Sequence, residues 1–333
     1  VDDARPDRWG ERVIRFLDKP ARLAVMDYLF FAGDERFGAL GVSVSEESYI
    51  CRQLGPLPQL SDVNAIAHLI QQVLNGEPIE ESQKRLIAPG GTLGGARPKA
   101  LIYIEGHSWV LKFNEPGESI DMPLVEHATM TLAAKAGIRV AQTRAIPLQS
   151  GHAVAVKRFD RENDRRRHAL SAQVVLKAAG EAVGYPELAQ VLRRRGVIQG
   201  GFGQQHMAEL FRRMVFNILM DNTDDHEKNH ALLCVNKVSN AYSLAPAFDV
   251  LPAAQALGYQ SMRVGQLGAA STLDNALSEH KSFGMTLARA KDVMAEVVRV
   301  ADAWQEHFAK AGVSAQDVLV LAQAIDRPFL QSQ

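Results

Sequence analysis

Between Asn217 and Leu233 the chain reads NILMDNTDDHEKNHALL, and from Asp221 to Asn229 it carries carboxylates, amides and one imidazole with no large apolar side chain. Asp224 stands at the start of a tight connection, where a carboxylate is free to accept a proton. Asn229, five residues on, can turn its amide oxygen toward a cation. Asp249, in AFDVLP, returns to the same edge if the intervening HALLCV and AYSLA form a hairpin, because a hairpin starts and ends at neighbouring points. Two carboxylates and an amide oxygen around one cavity make the hard oxygen set that Mg²⁺ takes together with phosphate ligands. The order of base Asp, metal Asn, hairpin and metal Asp is the logic of a phosphoryl-transfer loop.

Such chemistry also needs a cover for the phosphates and a cation to meet them, and both have candidates upstream. The glycines of PGGTLGGARPK let backbone amides approach phosphate closely. The spacing is not that of a G-x-x-x-x-G-K-[ST] loop, and a flexible connection reads it as well. Lys112, in WVLKF on the second strand after that loop, can reach α- and β-phosphates, and Glu126 on the following helix can pair with it. A lone strand lysine is by default a solvated side chain; the order of the motifs gives it weight. Asp221 and Asp225 read as solvated loop acids or a helix-end feature, and Lys228 as an exposed loop lysine.

The elements that must position these residues follow from periodicity. Trp9 to Tyr28 reads as two short helices interrupted by Pro20. SDVNAIAHLIQQVLNGEP is a helix with a Ser61 or Asp62 cap that stops at Asn75-Gly76. Ala100 to Ile104 and Ser108 to Phe113 form an antiparallel hairpin after the glycine-rich loop. A helix over PLVEHATMTLAAKAGI, ended by Gly137, and a second β section through VAQTRAIPLQSGHAVAVKRFD follow. Helices then dominate, among them HMAELFRRMVFNILMDN, whose Met207, Leu210, Phe211, Met214, Val215, Ile218 and Leu219 share one face. MTLARAKDVMAEVVRVADAWQEHFAKAG and SAQDVLVLAQAID read as amphipathic helices. A β-rich part followed by a helical one is an α+β, two-lobed arrangement.

The bulk numbers set bounds. The chain has 333 residues, 47% of them hydrophobic, and a formal net charge of −1, so nucleic-acid contact would have to come from a local patch. The arginine runs at 165–167 and 193–195 read as solvated faces. Cys51 and Cys234 have no partner spacing for a disulfide or zinc site and read as small buried apolar residues. The remaining histidines lack zinc spacing, and His226 with His230 lacks the Glu of HExxH. With no long apolar run and no signal pattern, a cytoplasmic location is expected and no membrane contact. The first residue is valine and not methionine, so the natural chain is expected to begin upstream or to have been trimmed.

The chain resembles the HipA-like family of serine/threonine protein kinases, toxins of bacterial toxin–antitoxin pairs. GGARPKA, VKRFDR, FNILMDNTDDHEKNHALL and FDVLP carry the resemblance in the family's order, supported by RPDRWG near the start and RVGQLGAASTLDNAL later, so that nearly the whole chain is spanned. The resemblance implies a bilobal protein-kinase-like fold. Residues 1–157 would be an N-lobe with the glycine-rich loop, the lysine strand and N-terminal helices. Residues 158–333 would be a mostly helical C-lobe with the catalytic loop and the metal-binding Asp. ATP and Mg²⁺ would be the cofactors. Asp224 matches the catalytic base, with His226 in a supporting role, and Asn229 and Asp249 match the metal ligands. Lys112 matches the phosphate-contacting lysine and Glu126 its partner. Gly94, Gly95, Ala96 and Lys99 match the glycine-rich loop. Lys157, Phe159 and Asp160 fall in the segment where backbone groups meet adenine and Phe159 packs on the ring.

Two departures from the family pattern stand out. Thr92 falls where the family often has a serine that phosphorylates itself and silences the kinase. No complete N-terminal subdomain precedes RPDRWG, as after truncation or if a separate small protein supplied it. The resemblance further implies a helix-turn-helix antitoxin as partner, DNA reached only through it, and a translation component such as an aminoacyl-tRNA synthetase as substrate. Two alternatives remain open: a non-catalytic kinase-fold binding module in a repressor complex, and a phosphotransferase acting on a small molecule.

Overall fold

The computed structural model describes residues 1–19, 22–87, 97–163, 165–196, 202–236, 238 and 241–327. The glycine-rich-loop residues Thr92, Gly94, Gly95 and Ala96 lie outside the described residues. The α+β chain forms two compact units, Val1–Pro123 with Gln142–Ala169, and Leu124–Ala141 with Leu170–Gln333.

In the first unit, α1 (Arg8–Leu17) and α2 (Val25–Phe31) are the two short helices expected on either side of residue 20. α3 (Val63–Asn75) buries Ile66, Leu69, Ile70 and Val73, and ends at Gly76, whose φ of 74° a residue with a side chain would rarely adopt. Asp62 does not cap α3 with its side chain. It accepts from the Gln59 N–H at 2.8 Å and so closes the turn before the helix.

β1 (Lys99–Ile104) and β2 (His107–Lys112) pair as a hairpin through Glu105 and Gly106, both in left-handed conformation at φ 49° and 81°. That two-residue turn matches the twist of the strands it joins. β3 (Thr143–Pro147) and β4 (His152–Lys157) complete an antiparallel sheet of order β1-β2-β4-β3, and β5 (Arg161–Glu162) and β6 (Arg165–Arg166) form a small ribbon. Alternation puts Ala100, Ile102, Trp109, Leu111 and Ala155 into one core with Trp9 and Val13 of α1 and the buried face of α3. Lys112 pairs with Lys99 and Val154, which places it on the opposite sheet face.

The second unit contains α4 (Met122–Lys135) from its third residue on, then β7 (Ala169–Ser171) from its second, α5 (Ala172–Ala179), α6 (Tyr185–Arg195) and α7 (Phe202–Leu219). β8 (Ala231–Asn236) and β9 (Ala241–Leu244) make the expected hairpin, and the sheet order is β7-β8-β9. α8 (Leu273–Ser278), α9 (Leu287–Ala301), α10 (Trp304–Lys310) and α11 (Ala315–Ile325) follow. α7 is the core of the unit, with Leu210, Phe211, Met214, Val215, Phe216 and Ile218 fully buried.

The stretch from residue 285 to 312, which reads as one amphipathic helix, is broken at Asp302 and Ala303. Trp304 explains the break: its indole N–H donates to Asp326 at 2.8 Å and its ring meets Phe308 edge-on at 5.1 Å, so the second segment turns toward α11. Neither cysteine is buried as expected. Both are half-exposed free thiols, and Cys51 donates to Asp34 at 3.2 Å. Among the described residues no helix is long and apolar enough to cross a membrane.

Candidate functional site

In the second unit the polar run begins where α7 ends. Asp221 takes the left-handed conformation at φ 52° and reverses the chain, and the Asn222 N–H returns to the Asn217 carbonyl at 2.9 Å. The Asp221 carboxylate is fully buried and accepts from the N–H groups of Gln255 and Ala256 at 3.1 and 3.0 Å. Arg327 lies 3.5 Å from its other oxygen and donates to the Ile218 carbonyl at 2.7 Å, which satisfies an end of α7. Burial lowers the Arg327 pKa, and Asp221 opposes that effect. The Thr223 carbonyl accepts from both the N–H and the hydroxyl of Ser261, at 3.2 and 3.0 Å. The segment after Asp249 is thereby fastened to this loop.

Asp225 is buried as deeply. Its Oδ2 accepts from the Tyr185 hydroxyl, from Asn217 Nδ2 at 2.9 Å and from His230 Nε2 at 2.7 Å. Burial first and Asp225 second push the Tyr185 pKa far up, so its phenol stays protonated and donates. The reading of Asp221 and Asp225 as solvated acids is therefore corrected: both are interior anchors, because the polar groups they satisfy belong to buried backbone and buried side chains.

Between these anchors Asp224 is the exposed residue in an otherwise buried run from Met220 to Asp225. Asn229, at the end of a single turn over Glu227–Asn229, is buried and donates from Nδ2 to the Asp224 carbonyl at 3.4 Å. Its Oδ1 is buried with no hydrogen-bond partner. Leaving such an oxygen unpaired is costly unless something else meets it, so this atom fits a metal ligand. His226 is half-buried, and its Nδ1 is likewise sequestered without a partner. The β8–β9 hairpin closes with the Ala245 N–H on the Ala231 carbonyl at 2.7 Å, so the chain leaves toward Asn229 and Asp249 from neighbouring residues. Asp249 is half-buried with φ 58°. Glu126, on α4, is 1% exposed. Among the described residues no group of three or more His, Cys, Asp and Glu could hold a metal ion.

The first unit carries the other candidates. Lys112 is half-buried at the end of β2. Lys99 is 6% exposed and its ammonium meets Asp7 at 2.7 Å. Asp7 also caps α1 by accepting the Gly10 N–H at 2.8 Å, and the Trp9 indole donates to the Lys99 carbonyl at 2.7 Å. The RPDRWG and RPKA stretches thus meet as one anchor at the start of β1.

In VKRFDR, Lys157 is half-buried and its N–H donates to the Gln142 carbonyl at 2.8 Å, while Phe159 meets Phe37 edge-on at 6.0 Å. The Asp160 carboxylate accepts from Arg158 at 3.0 and 2.8 Å, from Arg161 at 2.8 Å and from the Gly38 N–H at 2.8 Å. Arg158 also meets Glu35 at 2.8 Å. Burial pushes the Asp160 carboxyl up, but the arginines and the Gly38 amide outweigh it and hold it below its ordinary value. Burial and the neighbouring Arg158 bring Arg161 down to about 10. A polar cavity of about 570 Å³ borders this network, lined by Glu35, Tyr103, His107, Arg158, Arg161 and Arg166 among others. Arg166, read as part of a solvated run, pairs with Asp34 at 2.9 Å. Sequence reasoning missed Glu35, Gly38, Tyr185, Asn217, His230 and Arg327 in these networks; only their polarity near apolar runs hinted at buried partners.

The sequence profile described as HipA-like C-terminal domain matches residues 91–304, more than half of the chain. A curated relative from Sinorhizobium fredii (strain NBRC 101917 / NGR234), the "Putative kinase Y4dM", is 30% identical over 159 residues. That stretch covers 44% of this chain and 37% of the relative, so the chain spans little more than a third of the relative's length. Among solved structures, HipA in a complex of the Shewanella oneidensis MR-1 toxin–antitoxin system, with HipB and its operator DNA, has a TM-score of 0.67 at 16% identity. The match covers 98% of this chain and 82% of that one, and shows a shared fold. The Helicobacter pylori proinflammatory kinase CtkA matches with a TM-score of 0.42 at 13% identity, over 71% of this chain and 94% of that one.

Proposed function

The chain belongs to the family of the HipA-like C-terminal domain, and from that premise we propose that it is an ATP- and Mg²⁺-dependent serine/threonine protein kinase. The observation that carries this reading is the exposed Asp224, whose backbone carbonyl accepts from Asn229 Nδ2, together with the buried Asn229 Oδ1 that has no hydrogen-bond partner, in a loop where Asp221 and Asp225 are interior anchors. Asp224 accepts the proton of the acceptor hydroxyl, and His226 supports the loop. Asn229 and Asp249 would hold the cation through oxygen atoms, the donor type that Mg²⁺ prefers. The bound Mg²⁺ would neutralise charge on the phosphates during transfer. Lys112 meets phosphate oxygens and Glu126 steadies it. Gly94, Gly95 and Ala96 would serve the phosphates, as the resemblance implies, and Lys99 at the start of β1 is paired with Asp7. At Lys157, Phe159 and Asp160 the backbone serves the adenine, since the Asp160 carboxylate is engaged by arginines.

The same reading extends to partners. We assign it a helix-turn-helix antitoxin, with DNA reached only through that partner, a translation component such as an aminoacyl-tRNA synthetase as substrate, and Thr92 as a site of autophosphorylation. Incubation with labelled ATP tests it: label should enter lysate proteins and Thr92 in the presence of Mg²⁺. Label entering only free metabolites, or no label with ATP still bound, would contradict it.

A further inference from the structure

Asp225 and His230 are the residues immediately after Asp224 and Asn229, and they are bonded to each other beneath the loop at 2.7 Å. This contact places the ring proton on His230 Nε2, and the other nitrogen, Nδ1, is buried with no partner. The Asp225 oxygen that takes it also takes Asn217 of α7 and Tyr185 at the start of α6, and the Tyr185 ring meets the imidazole edge-on at 5.5 Å. The His230 carbonyl in turn accepts from the first amide of α5 at 2.8 Å. Three helices therefore hold one point from which Asp224 and Asn229 are each a single residue away.

We propose that Asp225 and His230 are the positioning pair of this loop, setting the separation between the base and the metal oxygen without touching either substrate. The inference rests on the roles given above to Asp224 and Asn229. The connection from 225 to 230 is built of polar residues, and the buried bond between its two ends closes it. Displacements of an ångström are enough to spoil transfer. The donor on His230 is the part that matters: among the described residues Tyr185 and Asn217 hold Asp225 to the helices, and His230 joins it to the far end of the loop.

His230→Phe and His230→Gln separate positioning from packing, because glutamine returns an N–H near the place of Nε2 while phenylalanine fills the space without one. With saturating MgATP and at a temperature where both variants are folded, His230→Phe should lower kcat by about 10- to 100-fold with KM for ATP within about twofold. His230→Gln should recover most of that loss. Amide hydrogen exchange should quicken at residues 223–230 in His230→Phe and stay unchanged in the core of α7. Wild-type kcat in His230→Phe, or equal losses in both variants, overturns the proposal. If the wild-type chain transfers no phosphate, the kinase reading fails, and exchange alone decides this one: selective quickening of the loop in His230→Phe upholds it, and identical exchange overturns it.

Discussion

Lys99 and Asp7, 92 residues apart, form an ion pair of 2.7 Å in which both side chains are less than a tenth exposed. Because Asp7 caps α1 with its other oxygen, one carboxylate fixes both the first helix and the first strand. Asp7→Asn keeps a side chain able to cap but removes the charge facing Lys99. Breaking one side of a buried pair typically costs about 3–5 kcal/mol. Urea unfolding of the variant should show that loss, and Asp7→Ala should lose about 1 kcal/mol more through the missing cap. Equal stability of Asp7→Asn and wild type would mean that the pair is not held in solution.

The Asp160 network predicts a pH dependence of known sign. Its carboxyl titrates below its ordinary value of 3.8 in the folded chain, so the folded state holds its proton less well than the unfolded state. The stability this group contributes is therefore complete above about pH 4 and is lost as pH falls through the ordinary value toward the folded one. Asp34, also lowered by Tyr49, Cys51 and two arginines against the opposing effect of burial, acts in the same direction. The gap in unfolding free energy between wild type and Asp160→Asn should be constant from pH 5 to 8 in urea titrations and narrow below pH 4. A gap that widened on acidification would contradict the assignment.

Asp221 and Arg327 should be energetically coupled. Asp221→Asn leaves the buried Arg327 facing an amide, and Arg327→Met leaves the Ile218 carbonyl unsatisfied. Each single variant should destabilise the chain, and a double-mutant cycle by thermal unfolding should return a coupling of about 0.5–3 kcal/mol. Strict additivity would show that the two act independently. Limited proteolysis between residues 250 and 258 should also accelerate in Asp221→Asn, since its carboxylate holds the Gln255 and Ala256 amides.

Much of the architecture was legible because it is local. The alternation in ALIYI and WVLKF, the apolar stripe of α7 and the glycine ends of α3 and α4 are short-range signals that packing reinforced. The same holds for the hairpin that separates Asn229 from Asp249. The networks were not legible. Glu35 and Arg158 meet across 123 residues, and no spacing rule marks such a pair. Asp221 and Asp225 sit in a run whose composition is that of a solvated loop; besides the core of α7, what meets them is Tyr185 and Arg327, which lie far outside any local window. The segment Leu124–Ala141, which holds most of α4, belongs to the second unit although it lies between strands of the first unit along the chain.

The central claim is that Asp224 is the base of a phosphoryl-transfer site. Asp224 is an exposed residue and Asp224→Asn is isosteric, so thermal unfolding first establishes that the variant is folded at the assay temperature. Measured with labelled ATP and Mg²⁺ on the same protein substrate, the wild-type chain should transfer phosphate and Asp224→Asn should do so about 10²- to 10⁴-fold more slowly. Equal rates in the two folded proteins, or no transfer by either, would contradict the account.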